Sequence, residues 1–93
     1  MPDAVQLRTV ARITNKRGLH ARASAKLVEA AARFNSHITV SKDGQSVDAR
    51  SIMGLMLLAA CMGSDVEICA NGEDANEAMT AIMALIAAKF GEE

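Results

Sequence analysis

The fold is decided by VQLRTVARITNKRGLHARASAKLVEAAARF, residues 5–34, because the hydrophobic period changes within this stretch. Up to Ile13, mostly apolar side chains occupy every second position, which is the period of a strand with one buried face. Residues 15–18 are typical of a turn. From His20 to Phe34, apolar residues recur three and four positions apart, as in an amphipathic helix. The stretch therefore predicts a strand, a tight loop and a helix that begins at His20.

The next segment predicts a β-hairpin. Ile38 and Val40 alternate with polar neighbours, and Val47 continues a second short run. Between them lies Asp43-Gly44, a dipeptide favoured in two-residue hairpin turns because both positions tolerate a positive φ. Two antiparallel strands joined at this dipeptide follow from the pattern.

Three further elements complete the chain. Ser51 is a favourable N-cap for a second helix, predicted from Ile52 to about Ala60. Residues 66–70 alternate again and predict a fourth strand, which ends at residues 71–72. A third helix is indicated by one apolar stripe: Ala75, Met79, Ile82, Ile86 and Phe90. We place Glu73, Asp74 and Glu77 in the first turn of this helix and Lys89 in its last, as the helix dipole prefers.

The predicted order is β-α-β-β-α-β-α, in one domain over residues 1–93. Strands with a single apolar face suit an antiparallel sheet that helices cover on one side. The fold class is therefore α+β in two layers, with the three helices on one face of a four-stranded sheet.

Composition excludes several classes of function. The chain has 93 residues, 51% of them hydrophobic, a net charge of -1, two Phe and no Trp or Tyr. A nucleic-acid-binding module would favour a positive charge and exposed aromatic side chains, so this class is disfavoured. The longest apolar run, residues 55–62, is far shorter than the roughly 20 residues that span a bilayer. With no signal-like segment at the start, we expect a cytoplasmic protein with no membrane partner.

The charges are divided between the two halves of the chain. Residues 1–42 carry eight basic and two acidic side chains, whereas residues 43–93 carry two basic and nine acidic ones. The basic half suits nucleic acid, an acidic protein or a small phosphate compound, and charge alone does not choose among them.

The cysteines and His37 point to no metal site. Cys61 and Cys69 lack the spacing of metal ligands, and we expect both to be thiols in the core of a protein from a reducing compartment. His37 lies at the start of a strand without a neighbouring cation, as an ordinary surface histidine would. Neither a metal nor a cofactor is predicted.

His20 breaks a local rule. It stands where the first helix begins, a position that Ser, Thr, Asp or Asn normally occupies to cap free backbone N–H groups. These N–H groups and the cations Lys16, Arg17 and Arg22 suit an anion and favour the neutral, nucleophilic ring. His20 is therefore a candidate phosphoryl acceptor, with an ordinary loop histidine as the alternative.

The second helix breaks another rule. Residues 51–60, SIMGLMLLAA, are almost entirely apolar and uncharged, and so short a helix cannot bury every face in a small domain. We predict that Leu55 and Leu58 lie in the core and that Ile52, Met53 and Met56 face a partner. The alternative is that all of them fill a core poor in aromatic residues.

Two motifs together resemble one family. NKRGLHARASAK, residues 15–26, and ARSIMGLM, residues 49–56, are similar to the motifs of HPr, the histidine phosphocarrier family of the bacterial phosphotransferase system. The likeness runs from the first strand through the last helix. It implies an open-faced β-sandwich with sheet order 1-4-2-3 and a carrier that is not itself an enzyme. A monomer is the expectation for a transient carrier. In this role the carrier accepts a phosphoryl group from enzyme I, charged by phosphoenolpyruvate, and donates it to enzyme IIA.

The resemblance also implies residue roles. His20 matches the phosphorylated histidine, with Nδ1 as the acceptor atom, and Arg22 matches the arginine that attends the phosphoryl group. Ser51 matches the serine that HPr kinase/phosphorylase modifies in some members. Docking residues are expected at positions matching the family's contact surface: Ile52, Met53, Met56, Arg17, Ala23 and Lys26.

One departure from the family pattern is Ala23, where most members have proline. Alanine loses the conformational restriction of proline but restores a backbone N–H that can reach a phosphate.

A carrier in a regulatory, nitrogen-related phosphorelay remains the alternative to one that serves sugar uptake.

Overall fold

The computed structural model describes residues 5–92 and confirms the predicted fold class. Residues 1–4 and 93, which the predicted domain also includes, lie outside the described part. In chain order the elements are β1 Val5–Arg12, α1 Ala21–Ala31, β2 His37–Lys42, β3 Gln45–Asp48, α2 Ile52–Leu57, β4 Asp65–Gly72, α3 Ala75–Ala87 and a 3-10 helix Lys89–Gly91.

The strands form one antiparallel sheet in the order β1-β4-β2-β3. Val40 of β2 pairs with Ile68 of β4, and Ala11 of β1 pairs with Val66. All four side chains are buried, because successive strand residues point to opposite faces and these four share the inner one. α3 packs over β1 and β4 and contacts α1, which in turn contacts α2. The sheet order that the family resemblance implied is confirmed.

The β2–β3 hairpin turns at the predicted dipeptide. Asp43 has φ 51° and Gly44 has φ 84°, the two positive angles of a type I′ turn. Lys42 and Gln45 pair across it. The local sequence was sufficient to predict this turn.

The first two helices end earlier than predicted. α1 ends at Ala31 rather than near Phe34, and α2 ends at Leu57 rather than at Ala60. After α2 the backbone of Ala59 takes φ 53°, which ends the helix and turns the chain. Periodicity did not reveal these ends, since the apolar residues continue past each of them.

The third helix also stops before the end of its apolar stripe. α3 ends at Ala87, and Lys89, Phe90 and Gly91 take φ values of 57°, 55° and 78°. Lys89 therefore lies outside the helix, contrary to the prediction. Phe90 is nevertheless fully buried, because the reversed chain turns its ring back into the core.

Both predicted core thiols were placed wrongly. Cys61 is exposed in the connection after α2, and Cys69 is only partly buried. Cys69 pairs with Arg8 of β1 and Thr39 of β2, so it lies on the open face of the sheet, whereas its neighbours Ile68 and Ala70 point inward.

Candidate functional site

The loop that carries His20 is attached to the connection between α2 and β4. The backbone N–H of Leu19 donates to the carbonyl of Ala60 at 2.9 Å, and that of Gly63 donates to the carbonyl of Ile13 at 2.7 Å. The Ser24 hydroxyl donates to the Leu19 carbonyl at 3.1 Å. The position of His20 is therefore determined by a segment about 40 residues further along the sequence as well as by its own helix.

Gly18 is required for this close approach. Its φ is +64°, and a Cβ added there would lie 2.3 Å from the carbonyl oxygen of Ala60 and 2.8 Å from Cα of Cys61. Both neighbours are backbone atoms, so neither can move aside by a rotamer change. Only glycine combines the left-handed backbone with this contact.

His20 is the N-cap of α1, as predicted, and its side chain makes no capping hydrogen bond. Its backbone is extended, and its carbonyl accepts the first helical bond, from the N–H of Ser24 at 2.9 Å. The N–H groups of residues 21–23 therefore have no acceptor within the helix. One of them belongs to Ala23, where a proline would have none.

The imidazole of His20 contacts a carboxylate from the other end of the chain. Nε2 of His20 lies 2.5 Å from Oε2 of Glu92. Oε1 of Glu92 accepts from Nδ2 of Asn15 at 3.0 Å, and the same Nδ2 donates to the Gly18 carbonyl at 2.9 Å. The hydrogen bond from Asn15, followed by the one with His20, lowers the pKa of Glu92 below its ordinary value.

Sequence reasoning missed both Asn15 and Glu92. Asn15 is fully buried, although asparagine in a turn-rich segment ordinarily indicates only the turn. Glu92 is 72 residues from His20, and nothing near it in the sequence marks a site. The contact of Glu92 with Asn15 and His20 forms only in the tertiary structure, so local sequence patterns do not reveal it.

Lys26 helps to place the C-terminal segment. Its Nζ donates to the Phe90 carbonyl at 2.6 Å, and the side chain is partly buried. The structure thus gives the predicted docking residue Lys26 a contact within the chain itself.

The two arginines near His20 remain accessible. Arg17 precedes it in the loop and Arg22 follows in the first turn of α1, and both are exposed. Arg17 adds an electrostatic contribution to the lowered pKa of Glu92. Neither guanidinium donates a hydrogen bond to another residue in the described part of the chain, so both can reorient toward a bound anion.

The predicted docking residues of α2 are exposed. The exposed fraction is 68% for Met53 and about 40% for Ile52 and Met56, whereas Leu55 and Leu58 are buried as expected. Leu57 and Met62, which the sequence analysis did not single out, are also exposed. We call the exposed members of this region the apolar patch: Ile52, Met53, Met56, Leu57 and Met62.

Ala23 does not belong to any exposed surface. Ala23 is part of α1, and its side chain is fully buried between that helix and the core, so its prediction as a docking residue was wrong. Position 23 lies on the inner face of the amphipathic helix, where small side chains let the helix approach the core.

Ser51 and His37 occupy the places that the sequence predicted. Ser51 is the N-cap of α2, and its hydroxyl accepts from the N–H of Gly54 at 2.9 Å. His37 is exposed at the start of β2, and its Nε2 lies 3.6 Å from a carboxylate oxygen of Asp48. It is an ordinary exposed histidine at the first residue of a strand.

Two kinds of feature are absent from residues 5–92. No helix in this range is long and apolar enough to cross a membrane. Nor do three or more His, Cys, Asp or Glu side chains cluster there as ligands for a metal ion.

The fold and the His20 loop define a small α+β protein that presents one histidine at an uncapped helix end. A family model described as "PTS HPr component phosphorylation site" matches residues 7–88. The chain therefore belongs to the HPr family, the phosphocarrier proteins of the phosphotransferase system.

Individual relatives agree with this assignment. The chain is 56% identical over 80 residues to the phosphocarrier protein HPr of Cupriavidus necator, covering 86% of this chain and 90% of that protein. It is 42% identical over 80 residues to the phosphocarrier protein NPr of Shewanella violacea, covering 86% and 88%. The crystal structure of HPr-C-His from Thermoanaerobacter tengcongensis superposes with a TM-score of 0.90 at 46% identity, covering 94% of this chain and 98% of that one.

Proposed function

We propose that this chain accepts a phosphoryl group on His20 from enzyme I, itself phosphorylated by phosphoenolpyruvate, and donates it to enzyme IIA. The observation that carries the proposal is the placement of the imidazole at the N-terminus of α1, where it caps nothing. The histidine is therefore free for chemistry, and the backbone N–H groups beneath it are free to bind an anion. The choice of donor and acceptor is supported by membership in the phosphocarrier family.

The surroundings of His20 suit the charge that arrives with the group. A phosphoryl oxygen can accept from the free N–H groups of residues 21–23, and Arg22, exposed two residues after His20, adds a planar guanidinium that suits phosphate oxygens. Phosphoryl transfer depends mainly on positioning and charge compensation, with little covalent help from neighbouring groups. The site is thus suited to holding the group between two enzymes rather than to turnover of its own.

Incubation with enzyme I and phosphoenolpyruvate, followed by intact-mass measurement, tests the proposal. We expect one phosphoryl group per chain, labile in acid and stable in alkali, and its transfer onward to an enzyme IIA domain. A chain whose mass does not change would contradict the proposed function.

The apolar patch is proposed as one docking surface for both partners. A carrier must present the same His20 to two different active sites, and α2 lies against α1, which begins beside that histidine. Exposed methionines are adaptable in shape, which suits a surface that fits more than one partner.

Met53→Asp is expected to weaken binding to enzyme I and to enzyme IIA together, each by about tenfold or more, because it places a charge at one of the two most exposed apolar side chains of α2. The affinities can be measured by titration of each partner. Val10→Asp is the matched control, since Val10 is 60% exposed but lies on β1. If only one partner lost affinity, a shared docking surface would be wrong.

Ser51 is proposed as a regulatory phosphorylation site for HPr kinase/phosphorylase. Its partly exposed hydroxyl lies next to Ile52 and Met53 of the apolar patch. A phosphate there adds about -1.5 to -2 charges, which must lose water when the patch docks. The modification would therefore act on binding rather than on the fold.

Ser51→Asp is expected to slow phosphorylation of His20 by enzyme I at low salt, and less so at high salt, since part of the effect is electrostatic. Ser51→Ala should be phosphorylated at the normal rate but lose about 1 kcal/mol of stability, because the hydroxyl no longer caps Gly54 N–H. Initial rates and thermal unfolding measure the two effects. An Asp variant as fast as wild type at low salt would remove the basis for regulation at this residue.

A second candidate is a carrier in a regulatory, nitrogen-related phosphorelay. The observation that favours this candidate is the 42% identity of the chain to a protein named NPr. The chemistry at His20 is the same in both, so the acceptor decides between them. Transfer rates from the phosphorylated chain to a sugar-specific and to a regulatory IIA domain distinguish the two candidates.

A further inference from the structure

The contact between Glu92 and His20 bears on which ring nitrogen carries the imidazole proton. An ionised carboxylate only accepts hydrogen bonds, and the lowered pKa of Glu92 keeps it ionised at neutral pH. With Oε2 of Glu92 at 2.5 Å, Nε2 of His20 must therefore be the donor. Its other ring nitrogen, Nδ1, makes no hydrogen bond to any residue in the range 5–92.

The carboxylate is fixed in place from two directions. Asn15 is fully buried and donates to Oε1 of Glu92, so the loop that carries His20 also holds its partner. The buried ring of Phe90 and the bond from Lys26 to the Phe90 carbonyl anchor the chain two residues before Glu92. Three successive positive φ values at residues 89–91 turn the chain back toward the site. The Glu92 carboxylate is therefore held in a defined position beside His20.

We propose that Glu92 is a positioning residue that holds His20 in the tautomer with its proton on Nε2, and thereby presents the lone pair of Nδ1 as the nucleophile. The inference rests on the proposed function of His20 as phosphoryl acceptor. In the accepting step, the Nδ1 lone pair forms a bond to phosphorus. The bond from phosphorus to the donor group breaks, and its electron pair leaves with that group.

The same contact serves the return step. When the phosphoryl group passes to the next protein, the bond between Nδ1 and phosphorus breaks and its electron pair returns to Nδ1. The proton stays on Nε2 against Glu92 throughout, so the ring leaves as neutral imidazole. No proton has to be gained or lost at His20 in either direction.

Glu92→Gln is the decisive variant. If Asn15 continues to donate to Oε1 at position 92, the new amide nitrogen faces Nε2 of His20 and donates to it. The ring proton should then move to Nδ1. Glu92→Ala removes the partner and should leave both tautomers populated. Glu77→Gln is the matched control, because it removes an exposed carboxylate from the first turn of α3.

Ring ¹⁵N chemical shifts of the free protein, recorded at about pH 9, where an ordinary imidazole is neutral, report the tautomer directly. We expect the Nε2–H form at His20 in wild type and in Glu77→Gln, a mixture in Glu92→Ala, and a shift toward Nδ1–H in Glu92→Gln. His37 is exposed and serves as a reference in the same spectra. A Glu92→Gln protein that keeps the wild-type shifts at His20 would overturn the proposal.

Rates of phosphorylation by enzyme I then test the consequence for chemistry. We expect acceptance to slow by about tenfold in Glu92→Gln, because the tautomer with a free Nδ1 lone pair becomes the minor one, and by less in Glu92→Ala. Equal rates in all variants would also overturn it. Because the tautomer is measured without enzyme I, a wild-type chain that is never phosphorylated would contradict the proposed function while the spectra still decide the role of Glu92.

Discussion

His20→Ala is expected to abolish phosphorylation by enzyme I while stability stays within about 1 kcal/mol of wild type. The loss should be complete because no neighbouring group can replace the ring nitrogen as nucleophile. The fold should persist because the ring lies outside the hydrophobic core and its hydrogen bond with Glu92 is only partly buried. Intact mass and thermal unfolding measure the two effects.

His37→Ala is the control for this prediction. His37 is the other histidine of the chain and is exposed at the start of β2, so its loss should leave labelling unchanged. Full labelling of His20→Ala by enzyme I would show that the phosphoryl group goes elsewhere. A large loss of stability in that variant would show that His20 is structural as well.

Gly18→Ala is expected to cost about 2 to 5 kcal/mol of unfolding free energy and to displace the His20 loop. A left-handed backbone costs a residue with a Cβ about 1 to 2 kcal/mol, and forcing extra atoms into a packed site costs about 1 to 3 kcal/mol. The second cost arises because the new Cβ would lie 2.3 Å from the Ala60 carbonyl oxygen. Thermal unfolding should show a Tm lower by about 10 °C or more.

Gly44→Ala separates the two contributions. Gly44 also has a positive φ, +84°, but a Cβ there would meet nothing within 4 Å. The Gly44→Ala variant should therefore lose only the unfolding free energy that the left-handed backbone costs, about 1 to 2 kcal/mol. If Gly18→Ala were no less stable than Gly44→Ala, the close approach at Ala60 would not constrain the loop.

Much of the candidate site could be predicted from the sequence because it depends on local rules. His20 was noticed as a poor capping residue at a helix start, and the structure places it at the N-cap with no capping bond. Ile52 and Met53 were predicted to be exposed because a six- to ten-residue helix cannot bury an apolar circumference, and both are exposed.

The errors have a common physical origin. Helix ends were predicted too far along, since alanine and leucine favour helix wherever they occur and the ends depend on what the chain must reach next. The thiol at Cys69 was predicted to be buried from its residue type, yet one step of strand register turns it away from Ile68 and Ala70. Ala23 matches the family's contact surface by its position in the sequence, but packing of α1 places its side chain on the buried face of the helix.

The sequence by itself determined the order of the elements, the hairpin turn at Asp43-Gly44 and the start of the first helix at His20. These depend on preferences that act over a few residues, such as the hydrophobic period, turn conformation and capping. Only the tertiary structure decided the pairing of β1 with β4 and the contact of Glu92 with His20 and Asn15. Such contacts join residues far apart in the chain, so they exist only after the core has packed and brought those residues together.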